Sequence, residues 1–160
     1  YDHMVMSGCT VAPGSDAGVV HLNVAGIDKR LAISNDCNNR FCYLDPYRGA
    51  QIAFVECMRN LACSGAKAMA VTDNLNFGNP NKPEAYYMLK ECVRGLAEAC
   101  AFFDVPVVGG NVSLYNENED GAPDIVGVST FSSKTTIRDI VGTEPAVKGS
   151  DIIVELPATL

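Results

Sequence analysis

VTDNLNFGNPNKPE, residues 71–84, reads as an apolar strand running out into a loop dense in Asp, Asn, Gly and Pro, after which a helix begins. VPVVGGNVSLYNE, residues 105–117, repeats that grammar: an apolar run gives way to Gly109, Gly110, Asn111 and Ser113. Between them, Leu89, Cys92, Val93, Leu96, Cys100 and Phe103 fall on one helical stripe, so a helix is predicted over residues 83–103. Strand, helix and strand make a βαβ unit, whose right-handed crossover sets the two strands parallel. Both polar stretches then lie at the same carboxyl edge of a sheet, where open α/β sheets generally take ligands.

Outward from this unit, Asp45 and Pro46 announce a second helix: the carboxylate can cap free amides, and proline at the first helical position loses no hydrogen bond. Ala50, Ala53, Phe54, Cys57 and Leu61 follow at helical spacing. KAMAVT, residues 67–72, is the strand expected to feed the first polar loop, and Asn81 with Glu84 reads as a capping-box pair around Pro83. Residues 18–24 and 31–34 read as a hairpin across a turn at 26–29, with residues 1–16 irregular before it and 35–44 a polar loop after it. Strands are expected at 124–131 and 152–156, a short helix at 137–141, and a loop at 144–151.

A chain of 160 residues with 48% hydrophobic and 19% charged residues suits one soluble globular domain with a real core. The formal net charge of -7 and the lack of a basic run argue against a nucleic-acid or anionic-membrane surface, although Mg²⁺ and backbone amides could still bring in one small polyanion. No long apolar span and no signal segment are present, and the start at Tyr1 suggests an excised or processed chain. The seven cysteines contain no CxxC pair, and the odd count favours reduced, core-packing thiols in a cytoplasmic setting.

Asp73 with Asn74, Asn76 and Asn79 offers a carboxylate and amide oxygens suited to Mg²⁺ or to a nucleotide's hydroxyls and ring edge. The same residues would equally make an Asx-rich turn that satisfies only its own backbone. Gly109 and Gly110 permit close approach to a phosphate, while Asn111 and Ser113 supply a metal-ligand oxygen and a hydroxyl. Other matches carry less. Asn111-Val112-Ser113 fits a glycosylation acceptor without secretory context, residues 116–127 start an EF-hand loop but end it on Gly127, and the P-loop pattern is absent. His3 and His21 read as surface and structural residues, and Arg48 and Lys82 stand near helix starts as solvated charges or phosphate contacts.

The strings CYLDPYRGA (42–50), RNLACSGAKAMAVTDNLNFGNPNKPE (59–84), VRGLAEAC (93–100) and VPVVGGNVSLYNE (105–117) resemble the synthetase subunit of phosphoribosylformylglycinamidine synthase, a purine-biosynthesis enzyme. The family chain is much longer and holds two copies of an ATP-binding domain of the aminoimidazole ribonucleotide synthetase type. This sequence is similar to the amino-terminal domain of the second copy, so residues 1–160 are expected to be a single domain and a piece of a longer chain. The resemblance implies an α/β (α+β) half-barrel, a mixed sheet with two main helices on one face, which pairs with another copy through its sheet. It also implies an ATP-dependent C–N ligase: ATP phosphorylates the amide oxygen of formylglycinamide ribonucleotide, and ammonia from glutamine attacks the iminophosphate.

Carried over position by position, Asp73 and Gly110 resemble ATP-contacting residues, Asn111 the Mg²⁺ ligand and Ser113 a substrate-contacting hydroxyl. The family's catalytic histidines belong to the first copy; His3 is the pseudo-equivalent position, and Met4 departs from the Gln that usually follows it. No catalytic residue is therefore expected here, and the isolated piece is expected to be inactive. Its partners would be ATP, formylglycinamide ribonucleotide, the remaining synthase domains, a glutaminase domain or subunit, and a second copy as homodimer. A non-catalytic nucleotide-binding or scaffolding half is the alternative. A selenophosphate synthetase or thiamine-phosphate kinase is a third reading, against which the TDNLNFGNP string stands.

Overall fold

The computed structural model describes residues 5–12, 14–118, 127–131, 135–138 and 153–155. His3, Met4, residues 119–126 of the EF-hand-like turn, and the loop at 144–151 lie outside the described residues.

Two strands open the fold, β1 (Gly18–Val24) and β2 (Ile27–Ile33), paired antiparallel in the register Gly18↔Ile33 to Val24↔Ile27. The hairpin is tighter than expected, because Ala25 and Gly26 both take positive φ (52° and 81°) and close it with two residues. A short 3-10 turn (Val5–Ser7) and a bridge from Cys9 to Val20 precede and flank it. β3 (Asn35–Asp36) leads into α1 (Asn39–Leu44), a helix in place of the polar loop read from the sequence. Its signal is local: the Asn38 side chain accepts from the Phe41 amide at 3.2 Å.

Helix α2 (Pro46–Cys63) starts where the sequence places it, with Asp45 accepting from the Arg48 amide at 2.9 Å. β4 (Val71–Asn76), α3 (Pro83–Phe103) and β5 (Val107–Ser113) form the expected unit, and β4 and β5 are parallel. β6 (Gly127–Phe131) lies antiparallel on the other side of β4. β7 (Thr135–Arg138) is a strand, paired with Arg30 to Ala32 of β2, over the first two residues of the short helix expected at 137–141, whose residues 139–141 lie outside the described ones, and β8 (Ile153–Glu155) pairs parallel to it. Among the described residues the strands form two mixed four-stranded sheets rather than one, ordered β1-β2-β7-β8 and β3-β6-β4-β5. Mixed sheets with accompanying helices agree with the α/β expectation.

The core explains the helical spacing. Phe54 and Leu61 of α2 and Cys92, Leu96, Ala99 and Cys100 of α3 are buried together with Val71 and Phe77, and Cys57 of α2 is buried as well. Each fully buried large apolar side chain contributes about 1.5–3 kcal/mol. Two glycines set the helix spacing: a Cβ on Gly95 would overlap the Tyr47 carbonyl oxygen, and one on Gly49 would overlap the Cys42 backbone. Around the first contact, Arg94 stacks 4.1 Å from the Tyr47 ring centroid, and Tyr47 donates to Glu98 at 2.5 Å. The helices are thus locked at one crossing, which fixes the strand pair that α3 connects.

Candidate functional site

β4 begins later than the KAMAVT reading, so Asp73, Asn74 and Asn76 are strand residues, and Gly109, Gly110, Asn111 and Ser113 are strand residues of β5. The displacement follows from pairing: in the parallel register Asp73 stands opposite Gly110, Asn74 opposite Asn111 and Asn76 opposite Ser113. The two polar stretches, 37 residues apart for Asn74 and Asn111, are therefore side by side.

Pleating sorts them onto two faces. Asn111 Nδ2 donates to Asn74 Oδ1 at 3.2 Å, so these two share one face, and Ser113 follows two residues along. Asp73 shares the other face with Gly110: a Cβ added to Gly110 would overlap Asp73 Oδ1. Burial raises the Asp73 pKa, and this carboxyl helps to raise that of the buried Cys100 on α3. Asp73 thus lies on the helix side of the sheet and Asn111 on the opposite side, one register step apart. Among the described residues β5 is the terminal strand of its sheet, and Gly109 and Gly110 put no side chain on either face of that edge.

Ser113 closes the strand pair. Its Oγ stands 3.3 Å from both side-chain amide atoms of Asn116, and Asn116 Nδ2 also donates to the carbonyls of Phe77 (3.1 Å) and Ser113 (3.0 Å). Glu117, which sequence reasoning did not single out, completes the brace. Its Oε1 accepts from the Asn79 amide at 2.8 Å and its Oε2 from Lys82 Nζ at 3.0 Å, which holds its pKa below the ordinary carboxylate value. Glu117 is the last residue of the VPVVGGNVSLYNE stretch, and a lone carboxylate there gives no local signal; its partners are 38 and 35 residues away. Tyr115, between these anchors, is held at φ 62°, an uncommon state for a bulky residue.

Asn79 behaves as the turn reading says, its side chain accepting from the Asn81 amide at 2.9 Å. That bond displaces the expected capping box: Lys82 is the N-cap of α3 and makes no side-chain capping bond. Lys82 is paired to Glu117, Arg48 Nη1 donates to Gln51 at 2.9 Å, and His21 is bonded to Asp28 within the hairpin. These are structural roles.

All seven cysteines are thiols; burial raises Cys100 to about 11, partial desolvation raises Cys37, whose surface is exposed, to about the same value, and a bond to Cys42 together with burial raises Cys92 further. The buried, protonated thiols of Cys92 and Cys100 pack rather than react. Among the described residues no cluster of three or more His, Cys, Asp or Glu side chains could hold a metal, and no helix is long and apolar enough to cross a membrane. A cavity of about 300 Å³ between α2 and α3, lined by Val55, Ala99, Phe102 and Phe103 among others, shares no residue with the polar edge. That edge is open surface, with Asn111 exposed and Val108 and Val112 of the same strand 57% and 56% accessible.

Fold and edge together define an α/β domain of two mixed sheets, backed by helices, whose terminal parallel strands carry paired amides, glycines and a hydroxyl. Residues 14–131 match the model of the family described as AIR synthase related protein, N-terminal domain, and the chain belongs to that family. It is 52% identical over 122 residues to the phosphoribosylformylglycinamidine synthase subunit PurL of Alkaliphilus metalliredigens, a match covering 76% of this chain and 16% of that protein. The PurL subunit of a Thermoanaerobacter species is 55% identical over the same length and the same shares. The chain thus spans 16% of the length of these relatives. Among solved structures, PurLQS from Thermotoga maritima superposes with a TM-score of 0.73 at 29% identity, covering 87% of this chain and 24% of that one. T. maritima PurL complexed with FGAR superposes with a TM-score of 0.67 at 31% identity, covering 82% and 21%.

Proposed function

We propose that this chain is one AIR-synthetase-like amino-terminal domain of a longer phosphoribosylformylglycinamidine synthase, an ATP-dependent C–N ligase of purine biosynthesis in the cytoplasm. The observation that carries the reading is the register of β4 and β5, which joins Asp73, Gly110, Asn111 and Ser113 at one edge in a chain 52% identical to a PurL subunit. In this reading Asp73 and Gly110 contact ATP, Asn111 is a Mg²⁺ ligand, and Ser113 contacts formylglycinamide ribonucleotide. A nucleotide crossing the β5 edge where the glycines stand meets Asn111 on one face and Asp73, laid over Gly110, on the other.

The donor set fits Mg²⁺ of a particular kind. Amide oxygens are hard ligands, but no carboxylate shares the face of Asn111 at the neighbouring positions of β4 and β5, Thr72, Asn74, Asn76, Gly109 and Ser113. Mg²⁺ is commonly held by one or two protein oxygens together with substrate phosphates, so Asn111 would hold a cation that arrives with the nucleotide. Bound there, the cation would neutralise phosphoryl charge. What the chain's own residues do is orient: the Gly110 amide and the amides of Asn74 and Asn111 are fixed by the strand pairing before any ligand arrives.

No group here takes or gives a proton at the reacting atoms, and the catalytic histidines belong in this reading to the other copy. The exposed valines of β5 on a terminal strand support pairing with a second copy of the domain through the sheet. Ammonia would come from a glutaminase domain or subunit. The test is turnover of the full-length synthase carrying Asp73→Ala or Asn111→Ala. A fall of about tenfold or more in each supports the reading, and unchanged turnover in both leaves a scaffolding half.

A further inference from the structure

The side chain that works with Asn111 is set by the pleat. Asp73 is the charged neighbour, but its carboxylate lies on the helix side, over Gly110 and towards Cys100. On the face of Asn111 the adjacent residue across the strand pair is Asn74, whose Oδ1 accepts from Asn111 Nδ2 at 3.2 Å. That bond decides which way the Asn111 amide points. With its NH₂ group given to Asn74, its carbonyl oxygen is turned away from β4, and among the described residues that oxygen accepts no hydrogen bond. An asparagine binds a cation only through its oxygen.

We infer that Asn74 is the positioning residue for Asn111, holding its amide in the one orientation that presents oxygen rather than NH₂ to a phosphate-bound divalent cation. The inference rests on the proposed role of Asn111 as cation ligand and assigns to Asn74 the outer-shell part that commonly fixes ligand orientation. Asn74 is itself held in place: it lies mid-strand between β5 and β6, and its carbonyl accepts from Asn76 Nδ2 at 3.3 Å. Without the Asn74 acceptor, the Asn111 amide can turn over, and the flipped form presents N–H to the cation.

The test uses Mn²⁺ with AMPPNP on the 160-residue chain, bound Mn²⁺ being read by electron paramagnetic resonance, alongside the Asn111 side-chain NH₂ signals in a ¹⁵N spectrum without metal. Asn74→Ala is expected to weaken Mn²⁺ binding about tenfold and to move the Asn111 NH₂ signals, while the backbone amide spectrum reports that the fold persists. Asn74→Asp keeps an acceptor and is expected to bind Mn²⁺ at least as tightly as the unaltered chain. If Asn111→Ala abolishes binding while Asn74→Ala leaves it unchanged, or if Asn74→Asp weakens it as much as Asn74→Ala, the positioning role is overturned alone. No bound Mn²⁺ in the unaltered chain overturns the cation role of Asn111 and this inference with it.

Discussion

Asp73 lies across Gly110: the carboxylate of one strand occupies the space where any other residue on the neighbouring strand would place its Cβ. This contact ties the one acid at the edge to the one position that must stay bare. Gly110→Ala would push the carboxylate aside and strain β5, and overpacking of this kind costs about 1–3 kcal/mol. Thermal unfolding should therefore show a modest loss of stability, while AMPPNP binding by calorimetry should fall well beyond it. Unaltered nucleotide binding would separate Asp73 from the site.

The same burial makes Asp73 a stability liability. Its folded-state pKa is raised above the ordinary 3.8, so between 3.8 and the folded value the native state binds more protons than the unfolded chain. Stability falls as pH rises through that window, and the penalty is complete above it. Asp73→Asn should accordingly melt higher than the unaltered chain at neutral pH, with the difference closing below 3.8. Equal melting temperatures at pH 7 would mean that the carboxyl is well solvated.

Glu117 has the opposite sign. The Asn79 amide and Lys82 hold its pKa below the ordinary 4.5, so its contribution is full above that value and is lost as pH falls through the folded pKa. Glu117→Gln should flatten that acid limb of the stability profile. Glu117→Ala should speed hydrogen exchange at the Asn79 amide, which loses its acceptor. Unchanged exchange there would show that the brace is not what holds the turn.

Helix spacing offers a check far from the edge. Gly95→Ala sets a methyl against the Tyr47 carbonyl, a backbone atom that cannot rotate away, so α2 and α3 must separate. A loss of about 1–3 kcal/mol in denaturant unfolding is expected. Ala101→Gly, at an exposed position near the end of the same helix, should cost about 1 kcal/mol or less.

Much of this was legible from local pattern. The stripes of α2 and α3 and the Asp45 cap depend on residues close in sequence, and each is found where that pattern places it; the β1–β2 hairpin is found too, but it turns at Ala25 and Gly26 rather than over 26–29. The parallel pairing of β4 and β5 followed from topology, and the resemblance singled out Asp73, Gly110, Asn111 and Ser113, which that pairing brings together. What escaped depends on partners far along the chain. β4 sits later than KAMAVT because Gly109 to Ser113 supply its register, β7 is a strand because β2 pairs with it, and Glu117 is visible only once the 77–82 turn stands beside it. The Asn81–Glu84 cap failed for a nearer reason: Asn79 reaches the Asn81 amide first. The division of faces between Asp73 and Asn111 required the strand boundaries, since a loop has no pleat.

The central claim is that the bare edge at Gly109 and Gly110 is where a magnesium nucleotide sits. A ¹⁵N-labelled chain titrated with Mg²⁺ and AMPPNP tests it most directly. The account predicts that the amides of Gly109, Gly110, Asn111 and Ser113 shift together and saturate, leaving the outer face of α2 and α3 around Val55 and Phe102 unmoved. Shifts confined to that helical face, or none at saturating nucleotide, would contradict it.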